Sequence, residues 1–226
     1  MGLSQRCAVK TRVQEREAEW LLSLAGFPEL QAMDPLQGGW DNTNLLLTLA
    51  DGSKVVLKVW HANTVDEVDR VIGRHRHLDE YGIPTPVPIE LEGGRLLAER
   101  DGVAWTLLPF IEGGLLESDE ESLRSLGATM ARMHEIPTAE CFPSEFRMGQ
   151  ELFERMFALA EERNDWSPFP GMLRGESEAL RESIPAGLPQ GILHGDLFPD
   201  NVLGSDGKVA AILDLEEAWI GPCAFD

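Results

Sequence analysis

The sequence predicts an α+β fold with a strand-rich first half and a helical second half. In the first half, short apolar runs alternate with turns, and two pairs of these runs are joined by Asp-Gly dipeptides, which favour tight hairpins. After Gly113 and Gly114, longer segments carry apolar residues three and four positions apart, as on one face of a helix. The 226 residues are enough for two lobes of this kind, and no internal repeat relates one half to the other.

The strand-rich half is predicted to end near residue 111. Its hairpin turns begin at Asp51 and Asp101, and its middle helix opens with Thr64 and Glu67, which lie three positions apart as in a capping box. The stretch between the first helix and the first strand contains Pro and Gly and indicates a loop. The predicted elements are a helix over 11–25, strands over 45–49 and 55–60, a helix over 64–81, and strands over 95–99 and 103–108.

The second half is predicted to be a helical lobe with a small β insert. The predicted elements are helices over 118–134, 150–163 and 172–183, followed by short strands at 192–193, 202–203 and 209–213. We therefore divide the chain into a β-rich N-lobe, residues 1–111, and a helical C-lobe, residues 112–226.

The charge balance excludes two classes of partner. The chain has 39 acidic and 19 basic residues, which gives a formal net charge of −20. Binding to nucleic acid or to an anionic membrane surface requires a basic face, so neither partner is expected. Two interpretations of the acidic excess stay open: it keeps the protein soluble, or it lines a cleft for a cationic substrate.

The cysteines and the apolar runs indicate a cytoplasmic protein. Cys7, Cys141 and Cys223 are odd in number, widely spaced and without a C-x-x-C pair, which argues against a disulfide framework or a zinc site and for a reducing compartment. No apolar run is long enough to span a membrane, and the first residues lack the apolar core of a signal peptide.

The strongest chemical signal is the segment HGDLFPDN at 194–201, followed by an apolar run that ends at Asp214. Phosphoryl transfer from ATP requires a base near the acceptor and oxygen ligands that hold Mg²⁺ against the phosphates. Asp196 and Asn201 lie five positions apart in one loop, and a turn at 205–207 is expected to bring Asp214 back toward Asn201. Three oxygen-bearing side chains are therefore predicted to converge. The structural alternative is a set of turns formed by Asp and Asn side chains.

A second signal is the stretch GGWDNTN just before the first predicted strand. Gly38 and Gly39 have no side chains to block the approach of backbone N–H groups to phosphate oxygens, and Asn42 and Asn44 lie in the same stretch. All four are candidate nucleotide-binding residues, although a Gly pair before a strand also makes an ordinary turn. Neither a Walker A motif nor G-x-G-x-x-G is present.

Two further candidates lie on predicted strands. Lys58 interrupts the apolar run 55–59, where a buried amine would need a negative partner; the alternative is a lysine on an edge strand that faces water. Leu108 and Phe110 lie where a strand runs toward Gly113, and exposed backbone at this point is a candidate for hydrogen bonds to the edge of adenine.

These motifs resemble those of the aminoglycoside phosphotransferase/choline kinase-like superfamily, which has a protein-kinase-like two-lobe fold. The resemblance covers nearly the whole chain and is centred on HGDLFPDN and ILDLEEAWIGPCAFD. It implies that Asp196 is the catalytic base, that Asn201 and Asp214 are Mg²⁺ ligands, and that Lys58 holds the phosphates of ATP. The lysine of the family is paired with a helix glutamate. Glu67 is the candidate, and both this pairing and its capping role stay open.

Within the superfamily, GGWDNTN and HGDLFPDNVL look most like the bacterial homoserine kinase branch, whose pattern is G-x-E-N-T-N. Asp41 replaces the Glu here, and Lys58 and the Leu-Glu-Glu after Asp214 resemble the wider superfamily. The resemblance implies an ATP- and Mg²⁺-dependent kinase for a small amine-bearing acceptor, with homoserine first. Choline, an aminoglycoside or another amino alcohol, a Ser/Thr protein acceptor, and an inactive nucleotide-binding fragment are the alternatives.

The resemblance also bears on the end of the chain. Because the family pattern continues through several more helices, we expect an incomplete C-lobe and a truncated, poorly active chain. The sequence does not predict an oligomeric state. His194 is expected to orient its loop through hydrogen bonds, whereas His75 and His77 are expected at the surface of their helix, on different faces.

Overall fold

A computed structural model of the chain describes residues 13–36, 42–185 and 187–226. The chain folds into two compact units. The first comprises Met1–Gly127 together with Phe198–Leu213, and the second comprises Ala128–Leu197 together with Asp214–Asp226. Each unit is therefore built from two separate stretches of sequence. The division into a β-rich N-lobe, residues 1–111, and a helical C-lobe, residues 112–226, stays a prediction.

The described residues form helices and strands in the following order along the chain. The elements are α1 (Glu15–Leu24), β1 (Leu30–Pro35), β2 (Thr43–Leu49), β3 (Lys54–Trp60), α2 (Val65–Glu80), β4 (Ala98–Arg100), β5 (Val103–Pro109), β6 (Gly114–Leu115), α3 (Glu120–Glu135), α4 (Gln150–Glu162), α5 (Pro168–Ser183), β7 (Gln190–Leu193), β8 (Val202–Ser205), β9 (Lys208–Ile212) and β10 (Trp219–Pro222). Short 3₁₀ turns lie at Pro199–Asn201, Leu215–Glu217 and Cys223–Phe225.

The first unit is built on a five-stranded antiparallel sheet with the order β1-β2-β3-β5-β4. Alternating residues of β2 and β3, such as Leu47 and Leu57, point to one face and are fully buried. On this face they form one apolar core with Ala18, Leu21 and Leu22 of α1. The alternating apolar residues of the strands and the apolar face of α1 thus form a single core.

The opposite face of the sheet carries a second, smaller core. Trp60 of β3 and Ala104 of β5 are buried there with Val68, Val71 and Ile72 of α2. Trp60 and Lys58 lie two positions apart on β3 and therefore share this face of the sheet. The strand that carries the candidate lysine is in this way held between two neighbouring strands and beside a helix.

A three-stranded sheet with the order β6-β8-β9 completes the first unit. β8 and β9 form a hairpin in which Val202 lies opposite Ile212. Its turn consists of Asp206 and Gly207, both with positive φ, as a tight two-residue hairpin turn requires. The predicted reversal of the chain at 205–207 is confirmed, and it places Asn201 and Leu213 at the open end of the hairpin.

The second unit contains α4, α5 and the two-stranded antiparallel sheet of β7 and β10. Helix α3 begins in the first unit and ends in the second. Leu193 at the end of β7 lies opposite Trp219 at the start of β10. The loop that follows β7 and the segment that precedes β10 therefore leave this sheet at the same end.

The predicted α+β class is confirmed, and the helices and hairpins lie within a few residues of their predicted positions. Three expectations were wrong. Residues 30–35, predicted as loop, form the edge strand β1, and α5 begins at Pro168 rather than at residue 172. His75, predicted at the surface, is only 6% exposed. Across the part of the chain that the structure describes, no helix combines the length and apolar character needed to cross a membrane.

Candidate active site

The candidate phosphate loop is described only at its end. Gly38 and Gly39 lie outside the described residues. Asn42 is buried, and its side-chain oxygen accepts a hydrogen bond of 3.0 Å from the backbone N–H of His61. Asn44 lies directly opposite Lys58 in the pairing of β2 with β3. The Asn42 contact ties the end of this loop to the chain that follows β3.

Lys58 lies on an inner strand of the sheet, with β2 on one side and β5 on the other. Lys58 is 9% exposed, and its Nζ lies 3.7 Å from the centroid of the Trp60 ring. The Trp60 Nε1–H in turn donates a 3.0 Å hydrogen bond to Thr106 Oγ1. The alternative of a water-facing lysine on an edge strand is therefore wrong. Trp60 supports the ammonium group through its ring and is itself fixed by Thr106.

Glu67 closes the capping box at the start of α2. Its Oε2 accepts hydrogen bonds from the backbone N–H of Thr64 at 2.7 Å and from the Thr64 hydroxyl at 2.9 Å, while the Glu67 N–H donates to Thr64 Oγ1. The capping role is confirmed, and both bonds from Thr64 use the same oxygen of the carboxylate. The pairing of Glu67 with Lys58 stays a prediction.

Leu108 and Phe110 lie at the end of β5, beyond the short strand β4, which pairs only with Val103–Trp105. Leu108 lies opposite Val56 on β3, on the same sheet face as Lys58. The Phe110 ring lies 5.3 Å from Lys54 Nζ. The structure thus places Asn44, Lys58 and Leu108 on one face of one sheet, as a shared nucleotide site would require.

The loop after β7 carries Asp196, which is half-buried. His194, at the start of this loop, is fully buried, and its Nδ1 accepts a 3.3 Å hydrogen bond from the Asp196 backbone N–H. A backbone N–H can only donate, so the proton of the neutral His194 ring lies on Nε2. His194 therefore orients the loop backbone, as the sequence predicted.

Gly195 between them has no room for a side chain. Its φ is +78°, and a Cβ atom would lie 2.7 Å from the carbonyl oxygen of Glu217 and 3.3 Å from Cδ1 of Trp219. The Trp219 ring is itself stacked on Phe146, with centroids 5.5 Å apart. This close approach places the loop with Asp196 directly alongside the segment that follows Asp214.

Sequence reasoning missed Asp226, which anchors the same loop. Its side chain is 3% exposed. One carboxylate oxygen accepts from the backbone N–H of His194 at 2.8 Å, and the other accepts from the N–H of Gly195 at 2.9 Å. His134 Nε2 lies 3.2 Å from the first oxygen. The sequence signal near Asp226 is the pair Gly221-Pro222, which predicts a turn. This pair does not show which backbone N–H groups the carboxylate would reach.

Asn201 lies at the end of the 3₁₀ turn Pro199–Asn201 and is half-buried. Its carbonyl oxygen accepts a 2.8 Å hydrogen bond from the backbone N–H of Leu213, the residue just before Asp214. This bond extends the hairpin of β8 and β9 by one residue pair. The backbone pairing therefore brings Asn201 next to Leu213, the residue before Asp214, as the predicted turn requires.

Asp214 has a left-handed backbone, with φ 57° and ψ 66°. Aspartate adopts this region more readily than most other non-glycine residues, as Asp206 also does in the turn between β8 and β9. The 3₁₀ turn Leu215–Glu217 follows at once, and Glu217 is held by a two-point ion pair with Arg147. The turn and the ion pair fix the chain on the far side of Asp214.

The donor chemistry of Asn201 and Asp214 fits a hard divalent cation. An amide and a carboxylate supply oxygen ligands, and Mg²⁺ in kinases takes one or two protein carboxylates and fills its other positions with phosphate oxygens and water. Among the described residues, no group of three or more His, Cys, Asp and Glu side chains could hold a metal alone.

A buried lysine on an antiparallel sheet and a separate His-Gly-Asp loop are the features expected of the kinase-like phosphotransferase class. The model of the phosphotransferase enzyme family matches residues 33–226, and the chain belongs to this family. It is an ATP-dependent kinase, as the resemblance implied. The roles of the individual site residues stay predictions.

Curated relatives with similar sequences include homoserine kinases of rhizobia. One from Rhizobium etli (strain CIAT 652) is 28% identical over 225 residues, which cover 97% of this chain and 69% of that protein. One from Rhizobium meliloti (strain 1021) is 27% identical over 224 residues, which cover 97% of this chain and 68% of that protein.

Solved structures share the fold at lower identity. Spectinomycin phosphotransferase in complex with ADP and spectinomycin has a TM-score of 0.72 and 16% identity, and the match covers 95% of this chain and 72% of that one. A macrolide 2′-phosphotransferase from Brachybacterium faecium has a TM-score of 0.63 and 19% identity, with 92% and 74% covered. These likenesses confirm the predicted protein-kinase-like fold.

Proposed function

We propose that this chain transfers the γ-phosphoryl group of ATP to the hydroxyl group of a small amino alcohol, and that this acceptor is homoserine. The observation that carries the proposal is the agreement between two sources. The curated homoserine kinases align with almost the whole chain, and the two motifs GGWDNTN and HGDLFPDNVL look most like that branch of the superfamily.

In the proposed reaction, Asp196 orients the acceptor hydroxyl and takes its proton. The hydroxyl oxygen forms a bond to the γ-phosphorus as the bond from that phosphorus to the β–γ bridging oxygen breaks, and ADP leaves. Lys58 contacts the phosphates. Backbone near Leu108 and Phe110 binds the adenine edge. The protein contributes mainly position and charge.

Asn201 and Asp214 would hold Mg²⁺, which neutralises charge on the β- and γ-phosphates when it is bound. The structure supports this assignment through the backbone that carries the two residues. Asn201 is tied to Leu213 by its carbonyl oxygen, and Asp214 is held in its left-handed conformation by the turn that follows. The backbone from which each of the two side chains extends is thereby defined.

The acidic excess of the chain supports an amine-bearing acceptor. Glu145 precedes Phe146, whose ring stacks on Trp219 beside the Asp196 loop. The pKa of Glu145 is raised because its side chain shares a hydrogen bond with Glu151 and feels the like charge of that carboxylate. Both carboxylates are exposed, and they belong to the acidic excess of the chain. The formal net charge of −20 acts in the same direction at longer range.

The test of the proposed acceptor is ADP release in a coupled assay with Mg²⁺, ATP and one candidate at a time. Homoserine is compared with 2-aminobutyrate, which has the same skeleton without the hydroxyl group. Homoserine-dependent ADP release, together with a phosphorylated product seen by ³¹P NMR, supports the proposal. Equal rates with both compounds would contradict it.

A second acceptor class, choline or an aminoglycoside, is favoured by one observation. Asp41 stands where the homoserine kinase pattern has Glu, and Lys58 resembles the wider superfamily. The same assay therefore includes choline and spectinomycin. A rate with either of these above the rate with homoserine would replace homoserine as the acceptor and leave the phosphotransferase assignment intact.

The two proposed metal ligands are expected to contribute unequally. Asp214→Ala removes a charged ligand from a hard cation, whereas Asn201→Ala removes a neutral one. We expect Asp214→Ala to raise the Mg²⁺ concentration needed for half-maximal ATP binding more than Asn201→Ala does. Titrating Mg²⁺ at fixed ATP in both variants measures this difference. An equal effect, or a larger one at Asn201, contradicts the assignment.

A further inference from the structure

A buried polar pair lies in the first unit, outside the residues assigned above. His75 on α2 is 6% exposed and Thr85, in the chain after that helix, is 8% exposed. His75 Nδ1 lies 2.6 Å from Thr85 Oγ1, and the Thr85 hydroxyl donates a 2.8 Å hydrogen bond to the carbonyl oxygen of Ile212. The pair therefore reaches the last residue of β9, two positions before Asp214.

The direction of each hydrogen bond in this series follows from the donor groups. The Ile212 carbonyl can only accept, so it receives the single proton of the Thr85 hydroxyl. Thr85 Oγ1 must then accept from His75, which requires a proton on His75 Nδ1. His75, Thr85 and the Ile212 carbonyl form a directed series in which the ring determines the orientation of the hydroxyl group.

The peptide group between Ile212 and Leu213 is held at both of its polar ends. Its carbonyl oxygen accepts from Thr85, and its N–H, which belongs to Leu213, donates to the carbonyl oxygen of Asn201 at 2.8 Å. The Ile212 N–H donates to the Pro84 carbonyl oxygen, also at 2.8 Å. With these bonds made, the peptide plane cannot rotate without breaking buried hydrogen bonds.

We propose that His75 and Thr85 are positioning residues that orient the Ile212–Leu213 peptide. By fixing this peptide, they determine the direction in which the chain continues into Asp214, whose backbone is left-handed. The inference rests on the proposed role of Asp214 as a Mg²⁺ ligand. Outer groups that orient a metal ligand typically change metal affinity by about 10- to 100-fold when they are removed. Because His75 and Thr85 act through a single peptide group, we expect their removal to change the metal affinity by about tenfold, the lower end of this range.

The test uses matched substitutions in the whole chain. Thr85→Val keeps the shape of the side chain and removes the hydroxyl group, whereas Thr85→Ser keeps the hydroxyl group. His75→Asn keeps a donor close to the position of Nδ1, whereas His75→Leu removes it. Binding of a non-hydrolysable ATP analogue is measured by calorimetry over a Mg²⁺ series and again in EDTA, and the melting temperature is recorded for each variant.

We expect Thr85→Val and His75→Leu to need about tenfold more Mg²⁺ for half-maximal binding, with metal-free affinity unchanged, and the two conservative variants to behave as the wild type. A merely structural role would instead lower metal-free affinity and melting temperature together. A Mg²⁺ response identical to that of the wild type in Thr85→Val overturns the positioning role alone. A wild-type chain whose nucleotide affinity does not respond to Mg²⁺ overturns the proposed metal site and the positioning role with it.

A second measurement needs no variant. ¹⁵N NMR of the wild-type chain reports which ring nitrogen of His75 carries the proton. A protonated Nδ1 is expected from the directed hydrogen bonds. An unprotonated Nδ1 would overturn the series even if the variants failed to fold.

Discussion

Replacing Asp196 with Asn is expected to lower the rate of phosphoryl transfer by about 10²- to 10⁴-fold, the range associated with a general base. Asn has the same shape but cannot take the proton of the acceptor hydroxyl. The hydrogen bond from the Asp196 backbone N–H to His194 does not involve the side chain and is kept. The loop should therefore stay in place, and ATP should bind with nearly the affinity of the wild type.

The matched control for this prediction is Asp200→Asn, the same change at an exposed position of the same loop. We expect the control to keep its turnover within a factor of a few. Turnover with the true acceptor and nucleotide affinity by calorimetry are measured for both variants. Near-normal turnover in Asp196→Asn would show that Asp196 is not the base.

Replacing Asp226 with Ala is expected to destabilise the chain and abolish transfer together. The substitution removes both oxygens that accept from the N–H groups of His194 and Gly195. Each backbone donor that loses its partner costs about 1–3 kcal/mol when it stays buried. In a protein of this size, 1 kcal/mol lowers the melting temperature by about 2–4 °C. The His-Gly-Asp loop would lose its shape, so the turnover should fall even at temperatures where the variant is folded.

Asp226→Asn distinguishes the anchoring role from the charge. Its one oxygen can accept from only one of the two N–H groups, and its NH₂ would face the other donor. We therefore expect a loss of melting temperature and turnover close to that of the Ala variant. Asp165→Ala, which removes an exposed carboxylate of the same unit, is the control. A melting temperature and turnover like those of the wild type in Asp226→Asn would contradict the anchoring role.

Local signals in the sequence predicted the parts of the fold that depend on near neighbours. Asp-Gly turns and alternating apolar residues located β2, β3 and β5, and the Thr64 capping box located the start of α2. β1 was not predicted because its residues are mostly exposed and include Pro35. Its sequence therefore shows no alternation of apolar and polar residues. β6 and β10 are only two and four residues long, and partners distant in the sequence define them.

The same limit applies to the candidate site. Asp196, Asn201 and Asp214 stand in compact motifs, and their residue types alone suggest the chemistry. Asp226 acts on backbone 31 and 32 positions away, and Thr85 acts on a carbonyl 127 positions away. No periodicity or spacing rule reports such contacts. His75 was misjudged for this reason, since its helix position shows a face but not the buried hydroxyl group that it meets.

The division of the first unit between two stretches of sequence has a consequence for folding during synthesis. β6 forms its sheet with β8 and β9, which are synthesised only after Ala128–Leu197. Closing so long a loop costs entropy before any strand pairs, so this sheet is expected to form late. An amino-terminal fragment ending at Gly127 would lack β8, with which β6 pairs, and also β9. A protease that cleaves between residues 128 and 197 would leave the first unit as two pieces held by non-covalent contacts.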